Sequence, residues 1–509
     1  MNFKTRLGGI MLMALTTATA FAGGIVTNTN QNINFLRNPA RDGAIGIDGV
    51  YSNPAGVAFL SEGFHFGGNW QCVWQNRIVN TTNPLFALGV QNTDTNGNAV
   101  TTKEFKGEAQ VPFLPSLQAA YNKGKWSFQF NYAVTGGGGK CNFDNGLGSF
   151  ESAVANIAYA LQGLGATGYD LNSYMSGRQY YFGVTLGVAY KITDNLSVYG
   201  GLRGLYGNAS YKAKISDIKV NTANGLVGFG DYLDYAGTYI TSSLEQVNAG
   251  IAQLDLVKTM YGGTLPEAYQ QQYQQLVATQ QTLATTQGSL DQLEVYRNGV
   301  NLQSDQSGFG IAPIFGVDYR IGNFNFAAKY EFRTKMSMKN KSTLNQAMAM
   351  EAVNQFLDGT SVREDSPALL ALGAQWSVIP SVRINAGYHH FYDKQSVKYG
   401  DKQELLAHGT NEYLGGVEWD PVDKLTVSGG FQITNYGMTD DYMSDLSFVV
   451  DSWSFGVGAK YQFNDKVAVN AAYFQTNYGT YDTETSSTGV KNSFTRTNKV
   501  VGVGVELNL

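Results

Sequence analysis

The chain has 509 residues, enough for several soluble domains or one large barrel, and its net charge of −5 and pI near 5.5 argue against a nucleic-acid partner. Only 15% of residues are charged, while Gly (60), Tyr (31) and Phe (28) are abundant and Pro (10) is scarce. Small residues and aromatics with few charges suit a wall with lipid on one side and disfavour an ordinary soluble domain.

In chain order, residues 1–22 read as a secretory signal. Lys4 and Arg6 precede an apolar run from Leu7 to Ala20, and Ala20-Phe21-Ala22 is a cleavage site of the A-x-A kind. No run of 18 apolar residues follows, so no spanning helix is predicted. Residues 23–60 are polar and Gly-rich and do not alternate. They form either a periplasmic tail or a plug folded into a lumen, where Arg37, Arg41, Asp42 and Asp48 meet inward charges.

From residue 61 onward a two-residue beat takes over. Phe66, Gly68, Trp70, Cys72 and Trp74 share one face, as do Trp126, Phe128, Phe130 and Tyr132. The beat returns at Phe182, Val184, Leu186, Val188 and Tyr190, at Phe324, Phe326, Ala328, Tyr330 and Phe332, and at Val501, Val503, Val505, Leu507 and Leu509. Successive strand side chains point to opposite faces, so each segment is a ribbon with one greasy side. About fourteen such segments of roughly ten residues are present, the length of outer-membrane strands.

A soluble sandwich alternates too, and the connections decide between the two. Short turns at 122–125, 193–195, 322–323, 380–381, 423–424 and 465–466 alternate with long connections near 77–115, 135–178, 212–307, 336–366, 394–410, 437–451 and 478–497. Short periplasmic turns and long outer loops are the asymmetry of bacterial outer-membrane barrels. Six turns and seven loops require fourteen strands. The predicted fold is therefore all-β: a 14-stranded antiparallel transmembrane β-barrel over 61–509, with an N-terminal hatch at 23–60 in the lumen and partly helical extracellular loops.

The phase of each strand places Arg203, Lys329, Glu331 and Arg333 among the inward charges, with Asp318, Arg320, Arg383, Glu418, Lys460 and Glu506. Reversing that phase would cost roughly 2–4 kcal/mol for each cation near the midplane. Ser243–Met260 has helical spacing with Gly262-Gly263 as a stop, and Thr264-Leu265-Pro266-Glu267 reads as a capping box, giving a helical insertion at about 235–300. Segments 149–176 and 341–359 read as partly helical. Cys72 falls on the greasy face and Cys141 reads as a loop thiol, with a Cys72–Cys141 disulfide as the alternative that an exported protein permits. Gly136, Gly137, Gly138 and Gly139 interrupt the third strand, where interior Gly marks a bend. His389 and His390 are adjacent on a strand and face opposite ways, so they do not share a metal. No catalytic residues, metal ligands or cofactor motif are identified.

Asp42-Gly43-Ala44-Ile45, then Asn53-Pro54-Ala55-Gly56, then the first strand, with Phe130-Asn131-Tyr132 in strand 3, resemble the FadL-type outer-membrane transporters of long-chain fatty acids and aromatic hydrocarbons. The resemblance implies a monomeric barrel in the Gram-negative outer membrane whose hatch carries Asp42, Gly43, Asn53, Pro54, Ala55 and Gly56. It also implies a hydrophobic groove among the outer loops and a lateral opening at a strand-3 kink. The chain departs from that pattern at Ala133, which follows Tyr132 where the family has Gly, and at Leu509, where a terminal Phe is usual. The reading is passive uptake of hydrophobic small molecules, with outer-membrane lipid and lipopolysaccharide as surroundings. The alternatives are a porin for polar solutes and an adhesin or receptor acting through the outer loops.

Overall fold

A computed structural model describes residues 25–345 and 351–509, so the signal sequence lies outside the described residues. Fourteen antiparallel strands form the wall: β1 (Gly63–Thr82), β2 (Thr102–Lys123), β3 (Trp126–Phe143), β4 (Gly168–Lys191), β5 (Leu196–Thr222) and β6 (Val300–Ile321), then β7 (Phe324–Glu331, resumed at Ser337–Leu344) and β8 (Ser361–Arg363, then Leu369–Ile379). The circuit continues with β9 (Val382–Phe391), β10 (Asn411–Val422), β11 (Leu425–Asn435), β12 (Ser452–Asn464), β13 (Val467–Tyr478) and β14 (Lys491–Asn508). Each strand pairs with the next, and β14 returns to β1 from His65↔Asn508 to Thr82↔Lys491, which closes the sheet. Closure leaves no free edge strand, as a lipid-embedded backbone requires, and the ladder is interrupted locally between β2 and β3.

The outer face is apolar. Trp70, Trp126, Leu186, Leu202, Phe315, Trp376, Phe431 and Val503 are all exposed. Those side chains have no protein to pack against, and lipid is their natural solvent.

The strands run well past the ten residues expected, and β5 alone has 27. At about 3.3 Å per residue that is roughly 90 Å, far more than a bilayer needs. The extra length is extracellular, and there the alternation inverts. In β2, Phe105 points in and is buried while Glu104, Lys106 and Glu108 point out. In β5, Tyr211, Ala213 and Ile215 are buried while Lys212 and Lys214 face outward. Above the membrane the outside is water, so the barrel becomes a collar with a soluble-type core. The ladder persists because backbone donors and acceptors still need partners. The loops therefore begin later than expected, at 83, 144 and 223 in the first three cases. Cys141 lies buried within β3 rather than in a loop, and both cysteines are free thiols.

Helices fill the loops. α1 (Ile33–Arg37) sits in the lumen, and α2 (Gly148–Ala160) packs under the loops. α3 (Phe229–Met260) and α4 (Glu267–Leu293) make a long hairpin. The first hairpin helix starts fourteen residues before the periodic segment because Phe229, Tyr232, Leu233 and Ala236 anchor it on the collar. The cap of α4 is Pro266, with no side-chain cap bond, so the expected Thr264 capping box does not form. Of 149–176, the part from Gly168 onward is strand; in 341–359, strand runs to Leu344 and a 3-10 turn covers Glu351–Phe356. No helix among the described residues is long and apolar enough to cross a membrane.

Candidate functional site: the plugged lumen and the break in the wall

Residues 25–60 lie inside the barrel and are almost wholly buried. Charged and amide side chains fix the segment to the wall. Arg41 donates from Nε to Asp48 at 2.8 Å and from Nη1 to Glu418 of β10 at 3.0 Å. Arg37 reaches the same Glu418 at 2.9 Å. Asn34 donates to Asp48 at 3.0 Å and to Glu506 of β14 at 2.8 Å. Asp42 accepts from Nε2 of His389 at 3.0 Å, and the other ring nitrogen of His389 lies 2.8 Å from Glu412. His390, one residue on, faces away and meets Asn411. Buried charges are tolerated only when paired and hydrogen-bonded, and here plug and wall supply each other's partners.

The two short motifs have steric reasons. Gly43 lies against Gly373 of β8, and a Cβ on Gly373 would sit 2.2 Å from the Gly43 nitrogen. Two glycines allow backbone-to-backbone contact there. Asn53 accepts from the Gly56 amide at 3.1 Å and donates to Asp318 of β6 at 2.6 Å. The turn then aims the carbonyls of Pro54 and Ala55 at Gln129 (2.7 Å) and Ser197 (2.7 Å). An Asn53→Ala variant is expected to leave Asp318 short of a donor, at a cost of about 1–3 kcal/mol. Amide exchange at residues 53–60 should quicken relative to the rest of the barrel.

Arg203, Lys329 and Glu331 form one buried cluster. Arg203 pairs with Glu331, Lys329 lies 2.9 Å from Glu331, and Lys329 donates to the Tyr51 carbonyl at 2.6 Å. Arg333 does not join it. The ladder of β7 stops at Glu331, so the inward phase ends there, and Arg333 instead lies 3.7 Å from Asp365 in the collar.

The wall is broken beside the plug. Between β2 and β3 the pairing jumps from Leu117↔Tyr132 to Ala109↔Cys141, so residues 110–116 and 133–140 have no rungs between them. Residues 133–139 of β3 are all buried, in place of an alternating pattern. The strand stays paired with β4 from Ala133↔Gly183 to Gly138↔Gln179 but bends away from β2 toward the lumen, where it meets the start of the plug. Gly137 donates to Val26 at 3.0 Å, Asn28 donates to Thr135 at 2.8 Å, and Thr27 bridges Gly136. Gly137 has φ +77°, and a Cβ on Gly139 would sit 2.2 Å from a Val111 methyl. Val111, Leu114 and Val134 fill the gap from inside, while Phe113 stands out into the membrane.

Sequence reasoning missed the β2 half of this gap. Its signal was Val111-Pro112-Phe113-Leu114-Pro115, two prolines inside one strand, and proline cannot donate to a ladder. A bulge opposite Cys72 accompanies them, and the Pro112 carbonyl accepts from Trp70 at 2.9 Å and from the Cys72 thiol at 2.8 Å.

Above the plug the collar is packed with apolar side chains. A cavity of about 40 Å³ lies over Val26, lined by Tyr211, Phe356, Val362 and Tyr442 and by Glu364, Lys398 and Lys402. Lys398 is held by Glu364 at 2.6 Å. The Lys402 ammonium stands 4.6 Å from the centre of the Tyr442 ring, and burial lowers its pKa to about 8. Neither lysine was legible beforehand, because they meet Tyr442 and Val26 only through folding of separate loops.

No protein-family model and no curated protein matches the sequence. Solved structures do match. A FadL homologue of Pseudomonas aeruginosa is 11% identical, with 96% of this chain and 100% of that one covered at a TM-score of 0.60. The toluene transporter TodX of P. putida is 14% identical, with 91% and 94% covered at a TM-score of 0.52. A closed, plugged, lipid-faced barrel of fourteen strands thus has the fold of the FadL-type outer-membrane proteins.

Proposed function

We propose that this protein is a passive channel for hydrophobic compounds, and that long-chain fatty acids are its principal substrates. The observation that carries the reading is the juxtaposition of a sealed lumen with a gap in the wall, joined by hydrogen bonds from residues 26–28 to Thr135 and Gly137. A water-filled porin needs an open lumen and has no use for a side gap. A lipophile needs the reverse, since its destination is the bilayer. The outer collar takes the apolar chain, the cavity above Val26 takes the head group, and release of residues 25–28 frees a path past Val111, Leu114 and Val134. Gly136, Gly137, Gly138 and Gly139 permit the bend. The plug, through Asp42, Gly43, Asn53, Pro54, Ala55 and Gly56, stays docked and excludes polar solutes. The barrel acts as a monomer among outer-membrane lipid and lipopolysaccharide, and transport follows the substrate's own gradient.

The TodX likeness makes aromatic hydrocarbons the second reading, and Lys402 separates the two. A carboxylate gains from a neighbouring ammonium only while that ammonium is protonated. The Lys402 value of about 8 puts the change within reach of ordinary buffers. Palmitate binding to the purified protein is therefore expected to weaken as pH rises through about 8, and Lys402→Met should weaken it and abolish that dependence. Toluene binding should not change. A palmitate affinity that is flat from pH 7 to 9 and indifferent to Lys402→Met would refute the head-group assignment.

A further inference from the structure

The outer wall carries a second apolar feature, on the membrane side of β4, β5 and β6. Its outward positions lie in register as rows: Phe182↔Tyr206↔Phe309, Val184↔Gly204↔Ile311, Leu186↔Leu202↔Pro313 and Val188↔Gly200↔Phe315. Where β4 and β6 present large side chains, β5 presents Gly204 and Gly200. The result is a furrow of about 850 Å³. That is within the range of about 300–1,000 Å³ typical of small-molecule sites, and far larger than the 40 Å³ cavity in the collar. Its lining offers a single polar side-chain group, the Tyr206 hydroxyl, so it suits hydrocarbon and not a head group.

The furrow is continuous with the break in the wall. Phe182 lines its upper end, pairs with Val134 at the last rung before the β3 register shift, and packs against the apolar cluster that contains Val111, Leu114 and Val134. One side chain thus belongs to both features. A molecule emerging from the gap meets Phe182 first, at the upper end of the furrow.

We propose that the furrow is an exit track, which takes the hydrocarbon chain of a transported lipophile as it leaves between β2 and β3 and holds it against the outer wall before it mixes with the bilayer. This rests on the lateral-exit reading above. Gly200 and Gly204 keep the track empty, and each has room for a side chain, since an added Cβ would come no nearer than 3.9 Å and 3.4 Å to its neighbours.

The test uses the full-length protein in lipopolysaccharide-bearing cells supplied with a diazirine-labelled long-chain fatty acid, with cross-links mapped by mass spectrometry and uptake followed with radiolabelled oleate. Expected are cross-links on residues 182–188, 200–206 and 309–315 several-fold above those on the opposite wall at Phe431 and Phe455. A Gly200→Leu/Gly204→Leu variant should lose that excess and take up oleate about 3- to 10-fold more slowly. The Gly200→Ala/Gly204→Ala pair should behave nearly as the parent, which controls for folding. Uptake with equal labelling on both walls overturns the track alone and leaves bulk lipid as the occupant. A shift in oligomeric state of the leucine variant with unchanged labelling overturns it in favour of a second copy. An unmodified protein that transports no lipophile overturns the channel reading and the track with it.

Discussion

An Arg41→Ala variant is expected to make the barrel conduct small ions. Arg41 is the joint between plug and wall: it holds Asp48 within the plug at 2.8 Å and Glu418 on β10 at 3.0 Å, all three nearly inaccessible. Removing one member of a buried ionic group strands the others, at a cost of roughly 3–5 kcal/mol. Glu418 would retain Arg37 and Arg383, at 2.9 and 3.4 Å. Asp48 would keep the Asn34 amide, at 3.0 Å, as a side-chain donor. The penalty therefore falls on the plug, while the closed strand ladder holds the wall. Planar bilayers should show ion steps from the variant that the parent lacks. Arg41→Lys should be intermediate, because an ammonium keeps the charge but cannot fork to two carboxylates. A silent Arg41→Ala channel that still folds would mean that the plug is held by other means.

The second large effect is expected at Gly137. Its φ of +77° costs a side-chain-bearing residue about 1–2 kcal/mol, and a Cβ there would lie 2.2 Å from the Gln179 carbonyl of β4. Gly137→Val cannot keep the inward bend, so β3 should move back toward the wall and the gap toward β2 should narrow. Lipophile uptake should fall at least tenfold, with the barrel still showing heat-modifiable migration on gels. Gly97→Val is the control. Its φ is +82°, but nothing lies within 4 Å of it in an exposed loop, so it carries similar backbone strain without touching the gap. Full uptake by Gly137→Val would place the exit elsewhere.

The barrel was legible in the sequence because the bilayer imposes one rule on every residue of the wall. Outward positions such as Leu186, Phe315 and Val503 must be apolar, and the short turns at 322–323 and 465–466 leave no other side for the loops. The rule stops at the membrane surface. There Lys106, Glu108, Lys212 and Lys214 take over the outward face, and the reversed alternation looks like the end of the strand although the ladder runs on. The plug motifs stood out because one of their residues, Gly43, is a glycine in backbone contact with the wall and another, Asn53, is an asparagine that closes its own turn. What Asp42 touches did not stand out, since His389 is 347 positions away in the chain. The third-strand glycines marked a disturbance, but a break in a wall needs two lips. The other lip, Pro112 and Pro115, reads as an ordinary loop until β1 is seen to pair with it. The cavity that holds Lys402 is assembled from seven separate segments, from Val26 to Ser447, and leaves no local pattern at all.

The barrel is expected to pass lipophiles sideways while its lumen stays shut to polar solutes. Uptake of radiolabelled oleate and of arabinose, measured side by side in lipopolysaccharide-bearing cells with and without the protein, tests it most directly. Oleate entry should rise with expression while arabinose entry does not. Faster arabinose entry with unchanged oleate entry would contradict it and make the protein a porin.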